Sequence, residues 1–335
     1  MIDTTTVANT MQPHFSKKLL EKAIPLTKMV QYATLEELPP NIGADTVRFF
    51  LPPEPDLNAT GAPAPLTEGI PPTQYRDITF TPIDVKLSQR GQVAKVTDIA
   101  TNTGLFKYLK TAVDLMSEEF ALDVDTILRN QCVHPTAGLN KRYAQGLANF
   151  DALKAATLAN GRIVPRDVLD SATSLKIRRA PTFGGYYASL MPPQITRDIL
   201  DDPDWKDLIK TQYAEKAFKG EIGEISGVKI VEHTNPFQED ETEGTFAPTF
   251  NPSGTNTTGL IYSVIVTGKG SWGAVNMKKM GASPHKPQIV VVDKPDKSDP
   301  LAQYILAGWK AYWASVILQK RWGITLRTKS QFKDI

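Results

Sequence analysis

An α+β fold with a compact body and long extended arms is predicted by the sequence, on three observations. One long helical pattern covers residues 104–133, and short apolar or alternating runs typical of strands surround it. The chain has 25 prolines against 22 glycines, and many of the prolines cluster in connecting segments. Because proline fixes φ and stiffens the backbone, these segments are expected to be arms and protruding loops.

The composition limits the classes of protein to which the chain can belong. The 38 lysines and arginines nearly balance the 36 aspartates and glutamates, which gives a net charge of +2 and argues against a dedicated nucleic-acid binder. Cys132 is the single cysteine, so no internal disulfide forms, as is typical of proteins from a reducing cytoplasm. The sequence shows no secretory signal and no membrane-spanning run, so we expect a soluble protein made in the cytoplasm.

The N-terminal part is predicted to be an arm followed by a long loop. Residues 1–44 are expected to be extended apart from one short helix, Lys17–Ile24, which Ser16 caps. A strand is predicted at Thr46–Leu51, and the Pro-rich run Pro52–Pro72 is predicted to form the tip of a protruding loop.

The return leg of this loop alternates in two phases. Ile78 and Phe80 are in one phase, Ile83 and Val85 are in the other, and the change predicts a bulge at Pro82. A leg of about 20 extended residues would span about 60–70 Å. An arm of this length needs a surface other than its own body to lie on.

The body is predicted from helical and strand patterns. The helix over 104–133 has one apolar stripe, and a second helix is predicted to begin at Pro165 and to end in the basic run Lys176, Arg178 and Arg179. The Pro192–Pro193 pair is predicted to break the chain before a helix over 203–218. Strands are predicted at Tyr186–Met191, Val228–Glu232, Leu260–Thr267, Gln288–Asp293 and within Asp299–Thr328, and residues 235–259 are predicted to be a long surface loop.

Metal and nucleophile sites have weak support in the sequence. The four histidines, His14, His134, His233 and His285, do not stand at ligand spacings. Cys132 lies near the end of a predicted helix, where packing is the simpler interpretation.

The charged clusters and the glycine-containing segments do not indicate a catalytic or cofactor site either. The carboxylates Glu118, Glu119, Asp123 and Asp125 are interpreted as a solvated helix face, and the acidic run 239–243 as a solvated loop. Arg178 and Arg179 could contact phosphate, but cations are favoured at a helix C-terminus in any case. Gly220, Gly223 and Gly227 do not match a dinucleotide-binding motif. We therefore predict no catalytic residues, no metal site and no cofactor.

Long extensions on a compact body favour an assembly protein. Extended backbone and apolar side chains such as Leu66, Ile78 and Phe80 would lack partners in an isolated chain. Subunits that wrap around one another would supply those partners.

Several segments, in this order, carry a resemblance to a known family. They are FSKKLLEKA, PLTEGIPP, VAKVTDIA, FGGYYASLMPP, FKGEIGEISGVKIVEHTN, GKGSWGAV and DPLAQYILAGWKAYWASVIL. The chain resembles, over about residues 14–328, the major capsid proteins of the N-four-like group of tailed phages, which have the HK97-like fold.

The resemblance implies a division of the chain into parts. These are an N-terminal arm (1–44), an extended E-loop (45–98), a peripheral domain with a long spine helix (99–180), an axial domain (181–299) and return strands of the peripheral domain (300–335). It implies inter-subunit contacts at the E-loop tip, through Leu66, Thr67, Glu68, Gly69 and Ile70, and at the arm, through Phe15, Leu19 and Leu20.

The resemblance also implies a function. Such subunits assemble as hexamers and pentamers into an icosahedral phage head around double-stranded DNA, which the inner face meets non-specifically. Portal and scaffolding proteins, and a decoration protein, are the expected partners, with no membrane, and the expected location is the virion after assembly in the host cytoplasm. Two alternatives stay open: an encapsulin-type compartment shell, and a cytoplasmic enzyme with an unrecognised site.

Overall fold

The computed structural model describes residues 28–39, 44–53, 65–66, 68–71, 75, 78–99, 108–203, 205–206, 223–251, 253–256, 258–277, 288–292, 301 and 303–332. The strands in these residues are β1 (Thr34–Leu38), β2 (Thr46–Leu51), β3 (Thr81–Lys86), β4 (Ser88–Thr97), β5 (Asn140–Tyr143), β6 (Tyr187–Met191), β7 (Glu224–Ile225), β8 (Val228–Glu232), β9 (Phe237–Glu239), β10 (Ile261–Thr267), β11 (Trp272–Met277), β12 (Gln288–Val292), β13 (Tyr304–Ile317) and β14 (Gly323–Lys329). The α-helices are α1 (Tyr108–Val133), α2 (Phe150–Ala155), α3 (Leu158–Gly161), α4 (Pro165–Ile177) and α5 (Pro193–Leu200), and single 3-10 turns lie at Met29–Tyr32, Ala144–Gly146 and Lys320–Trp322.

The first sheet has five strands and is covered by α1. The long strand β13 lies at its centre and pairs with β4, β11 and β12, while β1 pairs in parallel with β11. The buried face of α1 packs on this sheet, and Phe120 meets Trp309 edge-on with ring centroids 5.1 Å apart. The apolar stripe predicted for this helix is confirmed at Met116, Phe120 and Val124, which are all buried.

The second sheet has seven strands, in the order β5-β14-β10-β6-β8-β7 with β9 beside β10. Helices α4 and α5 pack on it through Val168, Leu175, Ile195 and Ile199. Two short turns join the two sheets, from β10 to β11 and from β13 to β14. The turns contact each other, since Gly268 N–H donates to the Trp322 carbonyl at 2.8 Å.

Most of the body elements predicted from sequence are confirmed. Helix α4 begins at Pro165, β6, β8, β10, β12 and β13 lie inside predicted strand segments, and β14 extends one residue beyond its predicted segment. The predicted break after Met191 is confirmed, because β6 ends there. The sequence did not predict helix α5, which Pro193 opens directly after the break, where a missing N–H costs nothing in the first turn. Of the helix predicted over 203–218, residues 203, 205 and 206 are helical and 207–218 lie outside the described residues.

The hairpin formed by β2 and β3 is regular. Strands β2 and β3 pair antiparallel from Thr46 opposite Lys86 to Leu51 opposite Thr81 without a break, and Pro82 stands opposite Phe50. The bulge predicted at Pro82 is therefore wrong. The apparent change of phase arises because Ile78 and Phe80 precede the first residue of β3.

The end of the N-terminal arm belongs to the first sheet. Met29 is fully buried in the core beside α1, and β1 adds a parallel strand to the edge of the sheet. The sequence did not predict this, because a parallel partner more than 200 residues away leaves no local pattern. The predicted helix Lys17–Ile24 lies outside the described residues.

Candidate inter-subunit surfaces

The hairpin β2–β3 is held by cross-strand ion pairs on its surface. The Arg48 guanidinium donates to both carboxylate oxygens of Asp84, at 2.6 and 2.8 Å. These hydrogen bonds lower the pKa of Asp84 and keep it ionised. Lys86 and Asp45 form a second pair at 3.2 Å near the base of the hairpin.

Large apolar side chains along the hairpin and its loop are exposed. The exposed fraction ranges from 56% to 78% for Phe50, Leu66, Ile70, Tyr75, Ile78 and Phe80. Large apolar side chains exposed in this way are often found where a protein contacts a partner.

The predicted contact residues are only partly within the described chain. Leu66, Glu68, Gly69 and Ile70 are all exposed, and Gly69 has φ +77°, the left-handed conformation that glycine allows in a turn. Thr67 and the arm residues Phe15, Leu19 and Leu20 lie outside the described residues, so their roles stay predictions.

Asp125 joins three parts of the body. Its carboxylate lies 2.5 Å from His233 Nε2 and accepts hydrogen bonds from the Met29 N–H at 3.1 Å and from Asn235 Nδ2 at 3.2 Å. The prediction of a solvated face is wrong for Asp125, which is 1% exposed. Within the same acidic group, Glu118 and Glu119 are exposed, and Asp123 forms a bidentate pair with Arg90 at 2.6 and 2.7 Å.

Replacing Asp125 with asparagine is expected to lower the free energy of unfolding by about 1.5–3 kcal/mol. An amide offers one acceptor oxygen, so one of the buried donors of Met29 or His233 would face an NH2 group. Urea unfolding followed by fluorescence measures the change. The matched control is Glu118→Gln on the exposed side of the same helix, expected within about 0.5 kcal/mol of wild type. Equal stability of Asp125→Asn and wild type would contradict the role given to this carboxylate.

The acidic run 239–243 is largely built into the body, so the prediction of a solvated surface loop is wrong. Glu239 accepts from Arg327 Nε at 2.7 Å, and both side chains are fully buried. Glu243 pairs with Lys141 at 2.6 Å and accepts from the Tyr143 hydroxyl. Burial, together with the nearby Glu243 carboxylate, raises the pKa of Tyr143 to about 12. The composition of this run does not reveal that β14 and β5 supply its cations.

The segment that follows the acidic run is ordered by Asn256. Its buried amide donates to Asp240 Oδ1 at 2.9 Å and to the Gly259 carbonyl at 2.7 Å. Asp240 also accepts the Asn251 N–H, and Glu241 accepts the Asn256 N–H, both at 2.8 Å. The described residues of this segment are therefore held by hydrogen bonds to one another, and β9 joins the segment to the second sheet through β10.

Asn256→Ala is expected to lower the free energy of unfolding by about 1–3 kcal/mol, because it leaves Asp240 Oδ1 and a carbonyl buried without this donor. Thermal unfolding followed by circular dichroism provides the measurement. Thr242→Ala, at an exposed position of the same segment, serves as the control. If both variants melt like wild type, the segment tolerates substitution as a solvated loop would, and the role given to Asn256 is contradicted.

Cys132 and His134, the remaining candidates for a reactive side chain, are both in environments that suit a structural role. Cys132 is buried, and desolvation, together with Asp125, raises the pKa of its thiol well above the usual value. His134 Nδ1 accepts the N–H groups of Thr136 and Ala137 in a turn. Within the described residues no group of three or more His, Cys, Asp or Glu side chains is placed to hold a metal ion, and no helix there has the length and apolarity to cross a membrane.

Solved structures identify the fold. No protein-family model matches the chain, and no curated protein matches it in sequence. The capsid structure of the cyanophage P-SCSP1u superposes with a TM-score of 0.61 at 13% identity, covering 90% of this chain and 87% of that one. The capsid of Ralstonia phage GP4 gives 0.60 at 12% identity with 91% and 92% covered, and the cyanophage Pam1 capsid gives 0.59 at 13% identity with 92% and 94% covered. The protein thus has the α+β, HK97-like fold of tailed-phage capsid proteins.

Proposed function

We propose that this protein is a major capsid protein whose copies assemble into the icosahedral head of a tailed phage. The observation that carries the proposal is the hairpin β2–β3, which projects exposed apolar side chains that its own chain does not cover. The likeness to phage capsid structures over about nine-tenths of both chains supports it. The motifs quoted above favour the N-four-like group as the source.

The chain divides, in this proposal, into the N-terminal arm (1–44), the E-loop (45–98), the peripheral domain (99–180), the axial domain (181–299) and the return strands (300–335). Strand β4, at the end of the E-loop range, pairs along ten residues of β13 and so anchors the loop in the first sheet. The hairpin β2–β3 projects from this anchor.

Contacts between copies are assigned to two places. At the E-loop tip, Leu66 and Ile70 supply apolar contacts, while Thr67 and Glu68 supply polar ones beside the turn at Gly69. At the arm, Phe15, Leu19 and Leu20 contact a neighbouring copy. Apolar side chains buried between subunits would stabilise hexamers and pentamers by removing that surface from water.

The proposal includes further partners and a location. Portal and scaffolding proteins, and a decoration protein, would bind the assembled shell, and packaged double-stranded DNA would meet its inner face. The protein would act in the virion after assembly in the host cytoplasm, without catalysis or a cofactor.

Electron microscopy of the expressed full-length protein tests the proposal. We expect closed, roughly spherical particles or capsomers at high protein concentration. A protein that remains a monomer at every salt and protein concentration would contradict it. An encapsulin-type shell would instead be identified by an enclosed enzyme in particles purified from its natural source.

A further inference from the structure

Three turns that are distant in the sequence meet at one end of the second sheet. They are the chain after helix α4 (178–186), the turn from β10 to β11 (268–271) and the turn from β13 to β14 (318–322). Lys269 N–H donates to the Pro181 carbonyl at 2.8 Å, and the N–H groups of Leu318 and Gln319 donate to the Ser271 carbonyl at 3.0 and 3.1 Å. These bonds fix the three backbones against one another.

The joined turns concentrate positive charge. We call this surface the basic patch, and its residues are Lys176, Arg178, Arg179, Lys269, Lys320 and Arg321. The segments 176–185, 267–271 and 318–322 contain no Asp or Glu. Lys176, Arg178, Arg179 and Lys269 form no ion pair with any carboxylate of the residues that the structure describes.

A helix C-terminus accounts for only part of this charge. The negative end of the α4 dipole stabilises cations in its own last turn, but Lys269 and the Lys320–Arg321 pair come from other elements. Cations that lie close together repel one another, and this repulsion opposes folding. An anion bound from outside the chain would compensate the repulsion. Net charge does not explain the patch either, because the whole chain carries only +2.

Two features of the backbone of the patch bear on what it can bind. Arg179 has φ +54°, at the position after a helix where glycine is normally found. A cation is thus kept where it strains the backbone, a pattern that points to function. Gly184 and Gly185 follow, both with positive φ and with open space around each Cα, which lets a ligand approach the backbone closely.

We propose that the basic patch binds the phosphate backbone of double-stranded DNA without reading its sequence. The inference rests on the proposed function, because it identifies this end of the second sheet as facing the packaged genome. Phosphate is favoured over a protein partner because interface centres are depleted in lysine, whereas cations from three turns dominate this surface. Guanidinium and ammonium groups beside an open glycine backbone are the groups that commonly contact phosphates.

The test measures binding of purified full-length subunits to a fluorescent duplex of random sequence at several salt concentrations. Four phosphate contacts predict that log K falls with log [salt] with a slope of about −3 to −4. The triple variant Arg178→Gln/Arg179→Gln/Lys269→Gln is expected to bind at least about tenfold more weakly and to reduce the slope by about 3. Melting curves check that it folds.

The matched control removes the same number of positive charges at other positions. Lys95 and Lys310 each lie over a tyrosine ring of the first sheet, and Lys86 pairs with Asp45 on the hairpin β2–β3. The variant that replaces these three lysines with glutamine should keep most of the affinity. A second variant, Arg179→Gly, removes one cation and relieves the positive φ, so it should melt no lower than wild type yet bind DNA more weakly.

Two outcomes would overturn the inference. One is an equal loss of affinity in the patch and control variants. The other is wild-type DNA affinity in the triple variant, and if that variant also failed to assemble, the patch would be a contact between copies. Failure of the wild-type protein to form shells would contradict the proposed function alone, since DNA affinity is measured on subunits.

Discussion

A subunit whose Pro55–Pro72 segment is replaced by a short Gly-Ser linker is expected to fold normally and to form no stable closed shells. The cores of both sheets are made by other parts of the chain, in particular α1, α4 and the strands that they cover. The described residues of this segment are exposed and contribute nothing to those cores. Its prolines restrict the free loop, so docking on a neighbour would cost less entropy than docking of a flexible loop.

Two measurements separate folding from assembly for this variant. Circular dichroism and a cooperative melt should match the wild-type protein, while electron microscopy should show capsomers or monomers in place of closed particles. Normal particles would contradict the role of the tip, and an unfolded subunit would show that the loop serves the core.

A finer version changes only two side chains at the tip. Leu66→Ser/Ile70→Ser removes the two apolar contacts and should weaken assembly strongly. Leu115→Ser/Leu169→Ser removes two other exposed apolar side chains, from helices α1 and α4, and provides the control. Equal effects of the two double variants would indicate a general loss of surface apolarity and not a contact at the tip.

Replacing Arg327 with methionine is expected to lower the free energy of unfolding by about 3–5 kcal/mol. Arg327 and Glu239 are both fully buried, and the pair is bidentate, with Nε–Oε2 at 2.7 Å and Nη2–Oε1 at 3.2 Å. Arg327 Nη2 also donates to the Val133 carbonyl at the end of α1. Methionine fills the space but leaves a buried carboxylate without its counter-charge.

Denaturant unfolding, with stability taken from the midpoint and slope, provides the measurement. The control is Arg90→Met, which breaks a bidentate pair with Asp123 that is partly exposed and should cost no more than about 1 kcal/mol. The double variant Glu239→Leu/Arg327→Met should recover much of the loss, because it removes both buried charges together. A loss below about 1 kcal/mol in Arg327→Met would contradict the role of the pair.

Elements with a strong local pattern could be predicted from the sequence. The apolar stripe of α1, the proline that opens α4 and the apolar run of β6 each depend on neighbouring residues. Strands β1 and β4 depend on partners near the other end of the chain, so their residues show little that distinguishes them from a loop. The sequence therefore predicted the body well and the arm's entry into the first sheet not at all.

Buried polar residues were the least predictable part of the candidate surfaces. Asp125 lies in a helix face rich in carboxylates, and only the approach of Met29 and His233 makes it a buried acceptor. Glu239 has the composition of a solvated loop until Arg327 from β14 is placed beside it. The basic patch could not be predicted from the sequence for the same reason, because its cations come from three turns that are distant in the chain.

The central position of β13 in the first sheet has a consequence for the kinetics of folding. Ser88 of β4 and its partner Trp313 are 225 residues apart in the chain. At about 5–20 residues per second, a ribosome takes about 10–45 s to travel between them, and during that time β4 has no strand to pair with. Long-range pairing of this kind also slows folding after release. The first sheet is therefore completed only after β13 has been made, and until then the chain exposes an unpaired strand that favours aggregation.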